Sequence, residues 1–345
     1  MNEKIELWLA DEQKTALCGS GLSKSLYALP LELLLSGDLG AGKTTFLQGF
    51  AKGLGIENRI VSPTFALEQR YRMPTDNLFE PKAEFTHIDL YRLDALQARH
   101  VLHATDDHRG LRCIEWWERA ECLPAGPAIR VTMKENKHDG ILGRSVAIVF
   151  DDADIPEREV IEQWREDVML PAHIRRHCDA VADMCHDLAQ QMLQRGIPVR
   201  PKLLRAAAEV HDLLRFLDFR DGGYTGKQSS SQEQACWDAI RKLYPGMKHE
   251  PACAALLESR GFFALAAIVA VHGLVLPSPR RRTIEQQLLF YADKRVMVDK
   301  RVTLDERFAD FAKRYSDGKR SQDAETWYRE AKSVEADLFP DGCPV

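Results

Sequence analysis

Two groups of residues could carry chemistry by their type and spacing. The first lies in SGDLGAGKTT at 36–45. Gly37, Asp38, Leu39, Gly40, Ala41, Gly42, Lys43 and Thr44 fit the pattern GxxxxGK[ST] in full, and Thr45 follows. A glycine-rich loop can wrap backbone N–H groups around phosphate oxygens, and a helix start behind it adds partial positive charge. In such a cradle Lys43 bridges the β- and γ-phosphates of ATP or GTP, and Thr44 ligates Mg²⁺.

The second group is a series of imidazoles and carboxylates: His177, His211 with Asp212, His249, His272 and Asp293. His211 and Asp212 interrupt AAEVHDLLRF, which reads as a buried helix. An ionised Asp is costly to bury unless something pairs with it. Taken singly, each His reads as a hydrogen-bonded core residue, and Asp293 as a cap or a partner of Lys294 or Arg295. Together, neutral imidazoles and two carboxylates suit a divalent transition metal such as Mn, Fe or Zn. A cation would compensate the charge of Asp212.

The elements that must position these residues follow from pattern. LELLL at 31–35 reads as a strand before the glycine loop, with an amphipathic helix after it. FTHIDLYRL at 85–93 reads as a second strand with Asp89 near its C-terminal end. Ligands gather at that end of parallel α/β sheets, so Asp89 is the expected second Mg²⁺-side carboxylate. A third strand in LRCIEWWERA ends at Glu115, which alone reads equally well as the acid of a helix start. AIRVTMKE and RSVAIVF alternate like a closing ribbon. Beyond Phe150 the pattern turns helical, with no further strand signal. A helix over 170–196 buries Val181, Met184, Leu188 and Met192, with His177 on the same face. Pro198 and Pro201 open the helix expected to carry His211 and Asp212. His249, His272 and Asp293 fall in further helical, apolar stretches. RDGGYTGKQSSS at 220–231 reads as a solvated loop or as a lid carrying Lys227. The expected organisation is an α/β domain at 1–150, a linker at 151–170, an all-helical domain at 171–316 and a helical tail at 317–345.

Composition agrees with two soluble domains: 345 residues, 45% hydrophobic and 29% charged. The net charge of -5 argues against a generally basic nucleic-acid coat, and Arg280–Arg282 reads as a solvated turn. None of the eight cysteines forms a CxxC, so neither a zinc knuckle nor a redox pair is signalled. The opening MNEKIELWLADEQK lacks the apolar region of a signal peptide. FFALAAIVAV at 262–271 is too short to span a bilayer. A cytoplasmic protein without membrane contact is expected.

Four motifs in order, SGDLGAGKTT, VSPTFALEQRY, HIDLYRL and IEWWERA, resemble the TsaE (YjeE) family over residues 1 to about 150. Those proteins are small P-loop ATPases that help make threonylcarbamoyladenosine in tRNA. The resemblance implies nucleotide binding by 37–45 and Thr64, the latter in a switch-like loop near the γ-phosphate. It implies catalytic roles for Lys43, Asp89 and Glu115, and Mg²⁺ near Thr44, Asp89 and Glu115. It also implies TsaB- and TsaD-like protein partners and RNA. The sequence departs from the family at Trp117, where Pro is usual.

The order H…HD…H…H…D, with ADK at the last Asp, resembles the HD-domain metal-dependent phosphohydrolases over roughly 171–315. That resemblance implies that His177, His211, Asp212 and Asp293 hold one metal. His249 and His272 would hold a second, with Asp212 as a catalytic bridge. One or two ions of Fe, Mn, Zn, Co or Ni are expected. Two such ions, about 3.5–4 Å apart, polarise a phosphate and activate a water. Arg215 stands where the family usually has Lys and would grip a phosphate. The expected fold is an α/β P-loop NTPase domain followed by an all-α HD domain. The expected function is triphosphate hydrolysis or phosphotransfer plus hydrolysis of nucleotide phosphate esters. The alternatives are an accessory ATPase of tRNA modification with a regulatory or nucleotide-sensing HD domain, and a P-loop recast as a nucleoside or nucleotide kinase.

Overall fold

The computed structural model describes residues 3–74, 83–122, 126–219, 229–315 and 321–343. Lys227 lies outside them. The chain divides into two compact units, one of residues 2–154 with 192–200, the other of 155–191 with 201–345 and Met1.

The first unit is built on a seven-stranded sheet. Its elements are β1 (Glu3–Leu9), α1 (Glu12–Leu22), β2 (Leu31–Ser36), α2 (Lys43–Gly53), β3 (Glu68–Arg72), β4 (Glu84–Asp89), α3 (Ala95–Ala104), β5 (Leu111–Glu115), β6 (Ala128–His138) and β7 (Ile141–Asp151). The strand order is β1-β7-β6-β2-β5-β4-β3. Strands β6, β2, β5 and β4 run parallel at the centre, and antiparallel partners close both sides. The expected ribbon of β6 and β7 exists, but β6 also pairs with β2, and β7 with β1. It is therefore integral to the sheet rather than an appendage.

Strand β2 is almost wholly apolar because both its faces are covered. Leu31, Leu33 and Leu35 join the core that holds Phe46, Leu47 and Phe50 of α2. Leu34 faces Ala98 and Leu102 of α3 on the other side. Each fully buried Leu or Phe contributes about 1.5–3 kcal/mol. The exception in β2 is Glu32, 3% exposed, and its register partner on β5 is Arg112, 1% exposed. Arg112 Nε donates to both Glu32 oxygens at 2.9 and 3.0 Å, and its Nη1 reaches Leu102 O and Thr105 Oγ1. Removing one member of such a pair strands a buried charge. Glu32→Ala is expected to cost about 3 kcal/mol in stability. Denaturant unfolding followed by probes within the first unit checks this, and a loss below about 1 kcal/mol would contradict it.

The second unit is helical: α4 (Arg158–Asp167), α5 (Ala172–Gln194), α6 (Pro201–Val210), α7 (Ser231–Leu243), α8 (His249–Ser259), α9 (Phe263–Val269), α10 (Ile284–Lys294), α11 (Leu304–Tyr315) and α12 (Gln322–Leu338). The last residues of α5 group with the first unit. Helix α10 is buried along nearly its whole length and packs on α6, α9 and α12. It starts with a capping box between Thr283 and Gln286. One expectation needs correction: a short hairpin, β8 (Val296–Met297) with β9 (Lys300–Arg301), follows α10. Two-residue strands leave no periodic signal in sequence. Among the described residues no helix is long and apolar enough to cross a membrane.

Candidate functional sites

The glycine loop joins β2 to α2, as a phosphate cradle requires. Gly37, Gly40 and Gly42 all have positive φ, at 134°, 83° and 101°. Gly37 is doubly constrained, because a Cβ there would lie 2.1 Å from Met133 O on β6. Gly42 caps α2, and the helix begins at Lys43. Lys43 Nζ folds back to donate to Gly37 O at 2.6 Å and Asp38 O at 3.0 Å. It also sits 3.9 Å from the centroid of the Trp116 ring. Burial lowers its pKa, against the pull of Glu115, Glu118, Asp89 and Asp38. Leu39 is the exposed tip of the loop, and Thr45 lies within the first turn of α2.

Asp89 and Glu115 are register partners at the C-terminal ends of β4 and β5. Strand β5 lies beside β2, so both carboxylates stand next to the loop. Thr44 Oγ1 donates to Glu115 at 3.3 and 3.4 Å, and His87 Nε2 lies 3.0 Å from Glu115 Oε1. Asp89 Oδ2 accepts from Ser62 Oγ at 2.5 Å and Thr64 Oγ1 at 2.8 Å. Its Oδ1 accepts from Tyr91 N at 3.0 Å. Every candidate from the first group thus falls in one constellation. Sequence reasoning gave no role to Ser62, His87 or Trp116. All three were within quoted motifs, but only the folded chain brings them to the loop and the carboxylates.

The His–Asp site lies within the helical unit. Here the sequence expectation needs a second correction: His211 and Asp212 are not inside a helix. Helix α6 ends at Val210, and 211–214 form a turn. Two of the carbonyls that a continuing helix would pair are taken by side chains, and Val210 O accepts instead from Leu213 N at 3.0 Å in a tighter turn. His211 Nδ1 donates to Ala208 O at 2.7 Å, Arg165 reaches Glu209 O at 2.8 Å through Nη2, and Cys253 Sγ lies 3.6 Å from Val210 O. Likewise α9 ends at Val269, and His272 stands beyond it. His249 is the first residue of α8, and Asp293 lies in the last turn of α10.

All four histidines offer Nε2 to the same place. A backbone carbonyl can only accept, so Nδ1 is the donor in His177 to Val298 O at 3.0 Å, in His211 to Ala208 O, and in His272 to Val269 O at 2.6 Å. His249 Nδ1 instead meets Asp218 Oδ2 at 2.5 Å. This pattern fixes tautomer and ring direction, as outer partners do for metal-bound imidazoles. His177 Nε2 is 3.0 Å from Asp293 Oδ1. Asp212 Oδ1 lies 3.0 Å from His249 Nε2 and 3.6 Å from His272 Nε2. His211 Nε2 lies 3.8 Å from both Asp212 and Asp293. That nitrogen is buried and has no hydrogen-bond partner. Burial pushes the His211 pKa down to about 3, so its ring is neutral.

Burial favours the acid form of both Asp residues but is outweighed. Arg215 and the histidines hold Asp212, and Lys294 with His177 holds Asp293, well below the usual carboxylate range. Burial also opposes protonation of His249, yet Asp212 and Asp218 raise its pKa to about 9. A cation therefore competes with a proton there. His177, His211 and Asp212 form one candidate ligand triad, His211, His272 and Asp293 a second, and Asp212, His249 and His272 a third. The donor set fits a divalent transition metal, and the orphaned His211 nitrogen is the atom that such an ion would satisfy. Arg215 Nη1 lies 3.0 Å from His249 Nδ1 at the cavity wall. Asp218 had no assigned role in the sequence reading and holds His249, whereas Lys294, named there as a partner for Asp293, does pair with it.

An α/β unit with this loop, and carboxylates at the ends of adjacent parallel strands, is a phosphate-binding unit of the P-loop class. A family model described as threonylcarbamoyl adenosine biosynthesis protein TsaE matches residues 9–146. A Synechocystis protein named tRNA threonylcarbamoyladenosine biosynthesis protein TsaE is 40% identical over 131 residues, covering 36% of this chain and 78% of that protein. A Nostoc protein of the same name is 37% identical over 130 residues, covering 36% and 75%. The crystal structure of Bacillus subtilis YdiB has a TM-score of 0.34 and 27% identity, covering 44% of this chain and 88% of that one. The chain belongs to the TsaE family through its first unit.

Proposed function

We propose that the chain is an ATPase of tRNA threonylcarbamoyladenosine biosynthesis joined to an HD-type, metal-dependent phosphohydrolase of nucleotides. It would act in the cytoplasm, where its eight free thiols stay reduced. We place the two domains at 1–150 and 171–316, with α4 of the 151–170 segment and α12 of the 317–345 segment grouping with the helical one.

In the first unit, the backbone of 37–42 and Lys43 hold the phosphates. Thr44, Asp89 and Glu115 are the residues that would hold Mg²⁺. Asp89 also gathers Ser62 and Thr64, so the 61–67 loop is positioned by the same carboxylate that serves the ion. The names of the relatives carry the pathway. ATP hydrolysis by the full chain should be slow alone and at least about tenfold faster with the TsaB- and TsaD-like proteins of the same cell. Phosphate release with and without those proteins tests this. An absent response, with a phosphorylated nucleoside as product, would mark a kinase instead.

In the second unit, one observation carries the reading: four Nε2 atoms and two carboxylates converge, with His211 Nε2 otherwise unpaired. Bound divalent ions would supply Lewis acidity to a phosphate oxygen and acidify a water. The chain's own residues fix the geometry. Asp212 spans His249 and His272, Asp293 holds His177, and Arg215 offers a guanidinium to a phosphate. Elemental analysis of the purified chain, with phosphate release from a nucleotide panel, tests the assignment. Metal and nucleotide binding without turnover would point to a sensor.

A further inference from the structure

The His–Asp cluster forms only one part of its cavity, which holds about 430 Å³. That exceeds the needs of a lone phosphate and falls in the range of organic-ligand sites. Another part of the wall comes from α11 and α12, including Arg307, Phe311 and Trp327. Helix α12 is fixed to α11 by Tyr328, which donates to Asp305 Oδ1 at 2.6 Å and packs on Phe308.

Arg307 differs from the two cations that touch the cluster, Lys294 and Arg215. Lys294 is bound to Asp293 and to His272 O, and Arg215 pairs with Asp218. Among the described residues no carboxylate pairs with Arg307, and its buried Nε has no hydrogen-bond partner. A buried N–H without a partner calls for an acceptor. The guanidinium lies 4.4 Å from the centroid of the Phe311 ring. It lines the same cavity as His177, Asp293 and Lys294. The Trp327 indole is fixed at its edge, with Nε1 donating to Val275 O at 3.2 Å. A fixed indole lining a cavity is a platform for a planar ring.

We propose that Arg307, Phe311 and Trp327 form a recognition subsite of this cavity, so that the substrate carries a planar ring and an anionic group besides the phosphate that reacts. A nucleoside diphosphate meets that description. The inference rests on the phosphohydrolase reading and extends it to substrate class. Arg307 takes the non-reacting phosphate through charge-assisted hydrogen bonds, and Trp327 takes the base.

The test uses the full chain with Lys43→Ala in every sample, so that any residual P-loop binding is common to all. Phosphate release and calorimetric binding are compared for ADP, AMP and glycerol phosphate. Arg307→Gln should lower the preference for ADP over AMP by about tenfold or more. Arg307→Lys should restore part of it. Trp327→Leu should lower the preference for either nucleotide over glycerol phosphate by about tenfold. Equal changes for all three ligands, or no change in either ratio, would overturn the subsite. If ADP binding depends on Arg307 while no ligand releases phosphate, the subsite stands and the phosphohydrolase reading fails. If phosphate is released but the ratios do not move, the reverse holds.

Discussion

Lys43→Ala abolishes triphosphate hydrolysis by the first unit, with an expected loss of about 10²–10³ in rate. Lys43 Nζ is held by two loop carbonyls and the Trp116 face, so the charge is fixed before nucleotide arrives. A fixed charge beside the β- and γ-phosphates stabilises negative charge that grows as the terminal bond breaks, without reorganisation at that moment. Alanine keeps the helix and removes the charge. Lys43→Arg should recover little, because a planar fork cannot replace a point charge drawn back against Gly37 O and Asp38 O. ATP and GTP hydrolysis rates, measured beside phosphate release from nucleotide monoesters, check the outcome. The second rate reports on the His–Asp site, which has its own ligands. A Lys43→Ala protein that hydrolyses ATP or GTP at the wild-type rate would mean that the loop motif has been misread.

How much of this was legible in sequence depends on whether the information was local. The β2–loop–α2 passage was legible, because a glycine pattern, an apolar run and an amphipathic run all lie within about one motif. The neighbourhood of Asp89 and Glu115 was only half legible. Each could be placed at a strand end, but the order β2-β5-β4 makes them register partners, and strand order is not written locally. Strand β1 was overlooked although Ile5, Leu7 and Leu9 alternate with more exposed residues. Its partner, β7, lies far away in sequence. The His–Asp series was legible as a set of residue types, yet its local structure was not. The apolar run AAEVHDLLRF has the composition of a helix, and nothing in it shows that Arg165 will claim the carbonyl of Glu209 or that Val210 O will turn to Leu213 N. Ending α6 there matters. Adjacent helical residues point about 100° apart, whereas the turn brings His211 Nε2 and Asp212 Oδ2 within 3.8 Å. The roles of Arg307 and Trp327 were illegible for the same reason, since their elements meet the cluster only in three dimensions.

Asp212→Ala removes the carboxylate common to three histidines, and it carries the largest expected effect in the helical unit. Asp212 lies within 3.8 Å of His211, His249 and His272, so its loss affects two of the four candidate ligand groups among the described residues at once. Phosphate-ester hydrolysis should fall to background, and metal content should drop. Arg215, whose charge is balanced in part by Asp212, keeps Asp218 as a partner, so the fold should persist. Stability then separates a metal site from a buried hydrogen-bonded cluster. An ion that binds only the folded state stabilises it by about 2.7 kcal/mol at one hundred times its Kd. Wild type should therefore lose several degrees of Tm on chelation. Asp212→Ala, with little metal to lose, should lose much less. His249→Ala or His272→Ala should reduce activity while leaving at least one ion bound, if two are present in wild type. The readouts are elemental analysis, phosphate release and thermal melts with and without chelator. A wild-type chain that binds no transition metal on titration, with the same Tm in chelator, would sink the metal assignment. The four histidines and two carboxylates would then be a structural network, and His211 Nε2 a buried nitrogen with no partner to explain it.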